Sequence, residues 1–136
     1  MIEIGLETDG RTQFVDVTAR VADAAARLGV ADGFVVVHNP HTTAAVTINE
    51  GADPDVVRDM GAALDRLVPW AAGYRHAEGN SAAHIKASLF GSSVTVLVRG
   101  GRLVLGTWQV IWFCEFDGPR RRRLQVAACG GRPSAG

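Results

Sequence analysis

Three of the four histidines, His41, His76 and His84, stand among polar and acidic neighbours, and such a set can do two kinds of chemistry. Neutral imidazole nitrogens bind divalent ions, and a carboxylate from Glu50, Glu78 or Glu115 would add charge to the set. The same groups exchange protons near neutral pH. His76 and His84 lie eight positions apart across a Gly79-Asn80 break, which is neither the H-E-x-x-H helix pair nor a zinc-finger spacing. Spacing therefore leaves a metal centre, a proton-transfer pair and plain hydrogen-bonded core histidines all open. Lys86 and Arg120 are the residues placed to hold an anion, and phosphate is the natural partner, because a helix beginning after Asn80 would add its unpaired amides. Of the run Arg120 to Arg123, only Arg120 is fixed, by the Gly118-Pro119 turn before it. At least two of the others read as solvated charges guarding an open strand edge.

Other chemistries find no support. There is no G-x-S-x-G elbow, and Cys114 sits in an apolar strand where a thiol is inert. No phosphate loop or dinucleotide fingerprint occurs. Trp108 and Trp112 could stack nucleic-acid bases, but Lys plus Arg and Asp plus Glu both number 14, so no net basic charge supports that use.

The elements that must position the candidates follow from periodicity. Tyr74 to Gly91 folds His76 back toward a helix capped by Asn80 or Ser81 and carrying His84, Lys86 and Leu89. Ile2 to Leu6 alternates and turns at residues 8–11 into a second strand, Gln13 to Val17, so the chain is expected to open as a hairpin. Thr18 is the expected cap of a helix from Ala19 to Leu28, ended by Gly29. Phe34 to His38 reads as a buried strand stopped by Asn39-Pro40, with His38 projecting from its end. His41 to Glu50 reads as another strand, with Ala44, Val46, Ile48 and Glu50 on one face and a polar row of His41, Thr43, Thr47 and Asn49 on the other. That row is either a solvated edge or the lining of a cavity.

Asp53 and Pro54 open a helix to Leu67 whose buried side is expected to hold Val56, Val57, Met60, Leu64, Leu67 and Val68. Val94 to Arg99 and Leu103 to Leu105 flank a Gly100-Gly101 turn. Thr107 to Asp117 is apolar on both faces, so a helix or another subunit must cover its second side. Leu124 to Ala128 closes as the last strand, and residues 130–136 read as a flexible tail after one domain spanning 1–129.

The 136 residues suit a single domain with a real core. Two cysteines without C-x-x-C spacing argue against a disulfide scaffold and fit a reducing cytoplasm. No basic leader precedes an apolar run, and no apolar run nears the roughly 18 residues of a membrane span, so neither a membrane nor a nucleic acid is expected as partner.

Three blocks taken together resemble the YjbQ family, small proteins labelled secondary thiamine-phosphate synthase. They run from His41-Thr42-Thr43-Ala44 to Asn49-Glu50, from His76-x-Glu78-Gly79-Asn80 to His84-Ile85-Lys86, and from Gly106-Thr107-Trp108-Gln109 to Glu115-Phe116-Asp117-Gly118-Pro119-Arg120. The resemblance implies an α+β fold of sandwich-like antiparallel sheets with two to three helices, a homotrimer, and a polar pocket near a subunit boundary. Carried over by position, His41, His76 and His84 are its histidines, the expected metal ligands, with Glu50, Glu78, Asn80, Lys86, Gln109, Glu115 and Arg120 around them. Zinc or magnesium is the implied cofactor class. Thiamine-phosphate formation joins a pyrimidine pyrophosphate to a thiazole phosphate and calls for diphosphate binding. Its usual barrel needs about 200 residues or more, so the resemblance implies that activity as a side reaction of an enzyme for a phosphorylated small molecule. A non-enzymatic trimer that captures a metal or an anionic metabolite is the alternative. Family members often carry an acid between the Asn and the second His, where this chain has Ser81-Ala82-Ala83.

Overall fold

In the computed structural model, which describes residues 1–131, alternating apolar side chains form strands that pair into two antiparallel sheets. The larger sheet holds β1 (Ile2–Glu7), β8 (Arg121–Gly131), β3 (Asp32–His38), β5 (Ser93–Arg99) and β6 (Arg102–Leu103), side by side in that order. The smaller holds β2 (Gln13–Asp16), β7 (Gln109–Glu115) and β4 (Ala44–Glu50). Val35, Val37, Val96, Leu124 and Val126 of the larger sheet face Val46, Ile111 and Phe113 of the smaller one. Helix α1 (Thr18–Leu28) adds Val21, Ala24 and Ala25 to that core. On the far side of the smaller sheet, Ala45, Cys114 and Phe116 pack under α2 (Pro54–Leu67) and α3 (Ser81–Phe90) through Leu64, Ala83 and Ala87. The strand that is apolar on both faces is therefore covered on both, its second cover being two helices. Each large side chain so buried contributes about 1.5–3 kcal/mol.

The expected opening hairpin does not form. β1 pairs with β8, with Ile2 opposite Val126 and Glu7 opposite Arg121, whereas β2 pairs with β7, with Gln13 opposite Glu115. The connection between them spends its polar groups on the β7–β8 connection instead of on itself: the Thr8 amide donates to the Arg120 carbonyl, and the Gly118 amide to Arg11. Strands that change sheets together at a corner satisfy the backbone as well as a hairpin does. Gly118 is tightly enclosed there; a Cβ on it would fall 2.2 Å from the Gly10 carbonyl oxygen.

Three other expectations are corrected. β8 lies between β1 and β3, so its arginines guard no open edge: Arg121 reaches Glu7 at 3.1 Å and Arg123 reaches Glu3 at 3.6 Å. The same strand runs on to Gly131, because Gly130 and Gly131 pair with Gly33 and Asp32. The expected tail thus loses its first two residues to the sheet, and residues 132–136 lie outside the described residues. Thr18 does not cap α1; Val17 takes that position, and the Thr18 hydroxyl accepts from the Ile111 amide at 2.8 Å, fastening the helix to β7.

Helix α2 starts as expected, with Asp53 accepting from the Asp55 amide at 2.9 Å ahead of Pro54. Asp53→Ala is expected to lower stability by about 1 kcal/mol in a urea titration, since it orphans a helix-end donor. On the buried side only Leu64 and Val68 are fully covered, and Leu67 points outward. Among the described residues no helix is long and apolar enough to cross a membrane.

Candidate functional site

The Asn39-Pro40 pair that ends β3 also builds the loop after it. Asn39 is buried, and its Nδ2 donates to the carbonyls of His41 and Ala44 while its Oδ1 accepts from the His41 amide at 3.0 Å. A side chain that stands in for backbone partners holds a turn without regular structure. His41, Thr42 and Thr43 therefore precede β4 as a loop, where a polar strand row was expected; behind them Ala45 is buried against α3. His41 Nε2 accepts a bond from the Arg123 amide at 2.9 Å, which requires an unprotonated Nε2 and places the ring proton on Nδ1. Burial, then the charges of Arg122 and Arg123, hold the His41 pKa below its ordinary 6.5.

Under this loop lies a buried ion pair. Arg122 donates from Nε to Glu115 Oε1 at 2.9 Å, from Nη2 to Glu115 Oε2, and from Nη2 to the Thr43 hydroxyl at 2.8 Å. Glu115 also accepts from the Thr8 hydroxyl at 2.7 Å and from the Asp117 amide at 3.1 Å. Burial by itself would raise the Glu115 pKa, but the bonds from Arg122, Thr8 and Asp117 outweigh it and hold the carboxyl below its usual 4.5. Glu115, expected as a catalytic carboxylate, is thus an ionised and fully enclosed anchor. It joins the His41 loop to the β7–β8 connection.

That connection supplies the next wall. Asp117 accepts from Asn80 Nδ2 at 2.8 Å and from Arg120 Nη2 at 3.0 Å. Asn80 sits at the start of α3 but makes no capping bond with its side chain, and its buried Oδ1 has no partner among the described residues. The amide cannot be flipped to mend this, because its oxygen would then face the Asp117 carboxylate. His84, one turn into α3, meets His76 edge to face, with ring centroids 5.5 Å apart, and Glu78 Oε2 stands 3.8 Å from His76 Nε2.

These walls enclose an open cleft of about 320 Å³ lined by His41, Thr43, Glu78, Asn80, His84, Asp117, Arg120 and Arg122. His76 is set outside it, on the far side of His84 with Tyr74, Ser81 and Ile85. Three expected members stand elsewhere within one chain. Lys86 is buried and bonds Asp65 of α2, so it ties two helices together. Glu50 and Gln109 face each other at the end of β4 remote from Ala44, about 20 Å along the strand from the cleft at roughly 3.3 Å per residue. Thr43, of the polar row read as edge or cavity lining, does line the cleft, whereas Asn39, Asp117 and Arg122 were not among the expected site residues. Arg122 carried a readable signal: it precedes Leu124 and Val126 at steps of two, so it shares their inward face.

The donor set does not suit a resident metal inside a single chain. His41 has one ring nitrogen already engaged, His76 stands outside the cleft behind His84, and no group of three or more His, Cys, Asp or Glu converges among the described residues. Burial pushes the Cys114 thiol far up, so it is no nucleophile.

Residues 2–131 match the family model described as UPF0047 protein YjbQ-like. The chain belongs to the YjbQ-like UPF0047 family. The UPF0047 protein YugU of Bacillus subtilis is 47% identical over 126 residues, covering 92% of this chain and 96% of that protein. A UPF0047 protein of Methanocaldococcus jannaschii is 46% identical over 93% of this chain and 92% of its own length. A YjbQ/UPF0047 crystal structure from Clostridium acetobutylicum, an orthologue of YugU, superposes with a TM-score of 0.93 at 53% identity, over 95% of this chain and all of that one. A YjbQ-like structure from Sulfolobus solfataricus has a TM-score of 0.92 at 29% identity over 96% of each chain. The YjbQ-like fold is thus the α+β sandwich described above. Within it, Ala82 and Ala83 of the Ser81-Ala82-Ala83 segment are fully buried, and Ser81 lines the His76 side of α3.

Proposed function

We propose that this YjbQ-like protein is a small homotrimeric enzyme acting on a phosphorylated small molecule, with thiamine-phosphate formation as a secondary activity. The observation that carries this reading is one cleft in which His41 and His84 stand beside the Arg120 guanidinium, 52% exposed and open to an incoming anion. An imidazole with a free ring nitrogen can take a proton near neutral pH, and a guanidinium forks onto phosphate oxygens. His84 is the base by this assignment, His41, whose Nε2 is engaged by the Arg123 amide, donates its Nδ1 proton to the substrate, and Arg120 and Asn80 hold the substrate. Leu67, Leu89, Leu97 and Trp108 are exposed apolar side chains whose cover a trimer would supply. Single alanine substitutions at His41, His76 and His84, assayed for thiamine phosphate formation, test the reading. Unchanged turnover in all three overturns it.

A second reading, a trimer that binds an anionic metabolite or a metal without turnover, is favoured by one specific observation. Glu115 is locked in its ion pair, which leaves Glu78 and Asp117 as the carboxylates of the cleft, and Asp117 already holds Asn80 and Arg120. Elemental analysis of the purified protein, followed by chelation and the same assay, separates the two. Retained metal with no turnover before or after chelation supports the binding trimer.

A further inference from the structure

The cleft beside Arg120 is one lobe of a longer trough. Its walls at Pro40, His41, Thr42 and His84 are shared with a second opening of about 590 Å³, which His38, Ser88 and Ser92 complete over the buried Ala44 and Ala87. Both lobes fall within the range of about 300–1,000 Å³ usual for small-molecule sites. Their chemistry differs sharply. The smaller carries Glu78, Asp117, Arg120 and Arg122, whereas no carboxylate, lysine or arginine lines the larger. There three imidazoles and three hydroxyls line the wall, with methyl groups between them. A charged group placed in it would lose hydration without a fixed counter-charge. A neutral planar ring would stack on imidazole and bond the hydroxyls.

We propose that the larger lobe is a second binding subsite, which takes the uncharged nitrogen-heteroaromatic part of a ligand whose phosphate lies in the smaller lobe. His41 and His84 then stand at the junction of ring and phosphate. This assignment rests on the phosphorylated-substrate reading and adds the class of group attached to the phosphate. Ser88 and Ser92, exposed at the rim, are its discriminating residues; the Ser88 hydroxyl otherwise bonds only its own helix, at the His84 carbonyl.

Two fragments added separately to the full chain test it by amide chemical-shift mapping. Nicotinamide, a neutral heteroaromatic, is expected to move the resonances of Ala44, Ser88 and Ser92. Inorganic phosphate is expected to move those of Thr43, Asn80 and Asp117. Ser88→Trp, which fills the lobe from its rim, should weaken nicotinamide about tenfold or more, equivalent to about 1.4 kcal/mol, and leave phosphate unchanged. Ser92→Trp serves as a second obstruction should the first disturb α3. Phosphate binding without any nicotinamide response at the larger lobe overturns the subsite and spares the phosphorylated-substrate reading. Nicotinamide binding without phosphate overturns that reading and spares the subsite. Silence from both overturns both, and a change in solution mass on Ser88→Trp would make the lobe a contact between copies of the chain, ending the proposal.

Discussion

Replacing Arg122 by alanine is expected to cost about 3–5 kcal/mol of folding stability, read as a lowered urea midpoint at unchanged slope. The size follows from what is left behind. Glu115 is fully enclosed, and Arg122 supplies two of the bonds that keep its carboxylate ionised. Without the guanidinium, a buried charge has only the Thr8 hydroxyl and one amide, and the Thr43 hydroxyl loses its donor. The double replacement Glu115→Leu with Arg122→Met should recover most of the loss, because an ion pair taken out of water gains little over well-packed apolar groups of like volume. Acid exposes the same pair. The Glu115 pKa is lower in the folded chain than its usual 4.5, so its contribution is whole above 4.5 and is lost as pH falls through the lowered folded value. A loss below about 1 kcal/mol in Arg122→Ala would show that the pair is not the anchor described here.

How much of this could be read from the chain depends on the reach of each signal. Helix α2 was legible because Asp53 and Pro54 act within one turn, and β7 was legible because a run of β-branched and aromatic residues is a local strand signal. The opening hairpin was misread because the turn residues at 8–11 are as suitable for changing sheets as for reversing direction, and the choice is made by residues more than a hundred positions away, Glu115 and Arg120. The site shows the same division. His41, His84, Asn80 and Arg120 share a cleft, whereas Lys86, Glu50 and Gln109, grouped with them through the family resemblance, stand apart in space within one chain. Arg122 was passed over because four consecutive arginines look alike as composition. Only the step of two to Leu124 and Val126 separates the one that must find a buried carboxylate, and Glu115, two residues beyond Phe113, was waiting on the matching face.

His41→Ala and His84→Ala are each expected to lower turnover about a hundredfold or more, the usual contribution of a positioned proton-transfer group, with His76→Ala falling less. The order follows from placement. His41 and His84 line the cleft with Arg120, while His76 stands outside it, behind His84 and beside Glu78. The pH dependence distinguishes chemistry from packing. His41 keeps its bond from the Arg123 amide only when neutral, and its folded pKa lies below 6.5, so the acidic limb of kcat/KM that follows this bond should fall below 6.5 and disappear in His41→Ala. Stability follows the same sign: the unfolded chain takes up the proton first, so the contribution of neutral His41 is whole above 6.5 and is lost as pH falls through its lowered folded value. A proton NMR titration of the His41 ring gives the midpoint directly, and the Arg123 amide should shift in step, because protonating Nε2 breaks the 2.9 Å bond between them. A midpoint above 6.5, or an Arg123 amide indifferent to it, would remove His41 from the role of neutral donor and leave the cleft with His84 alone.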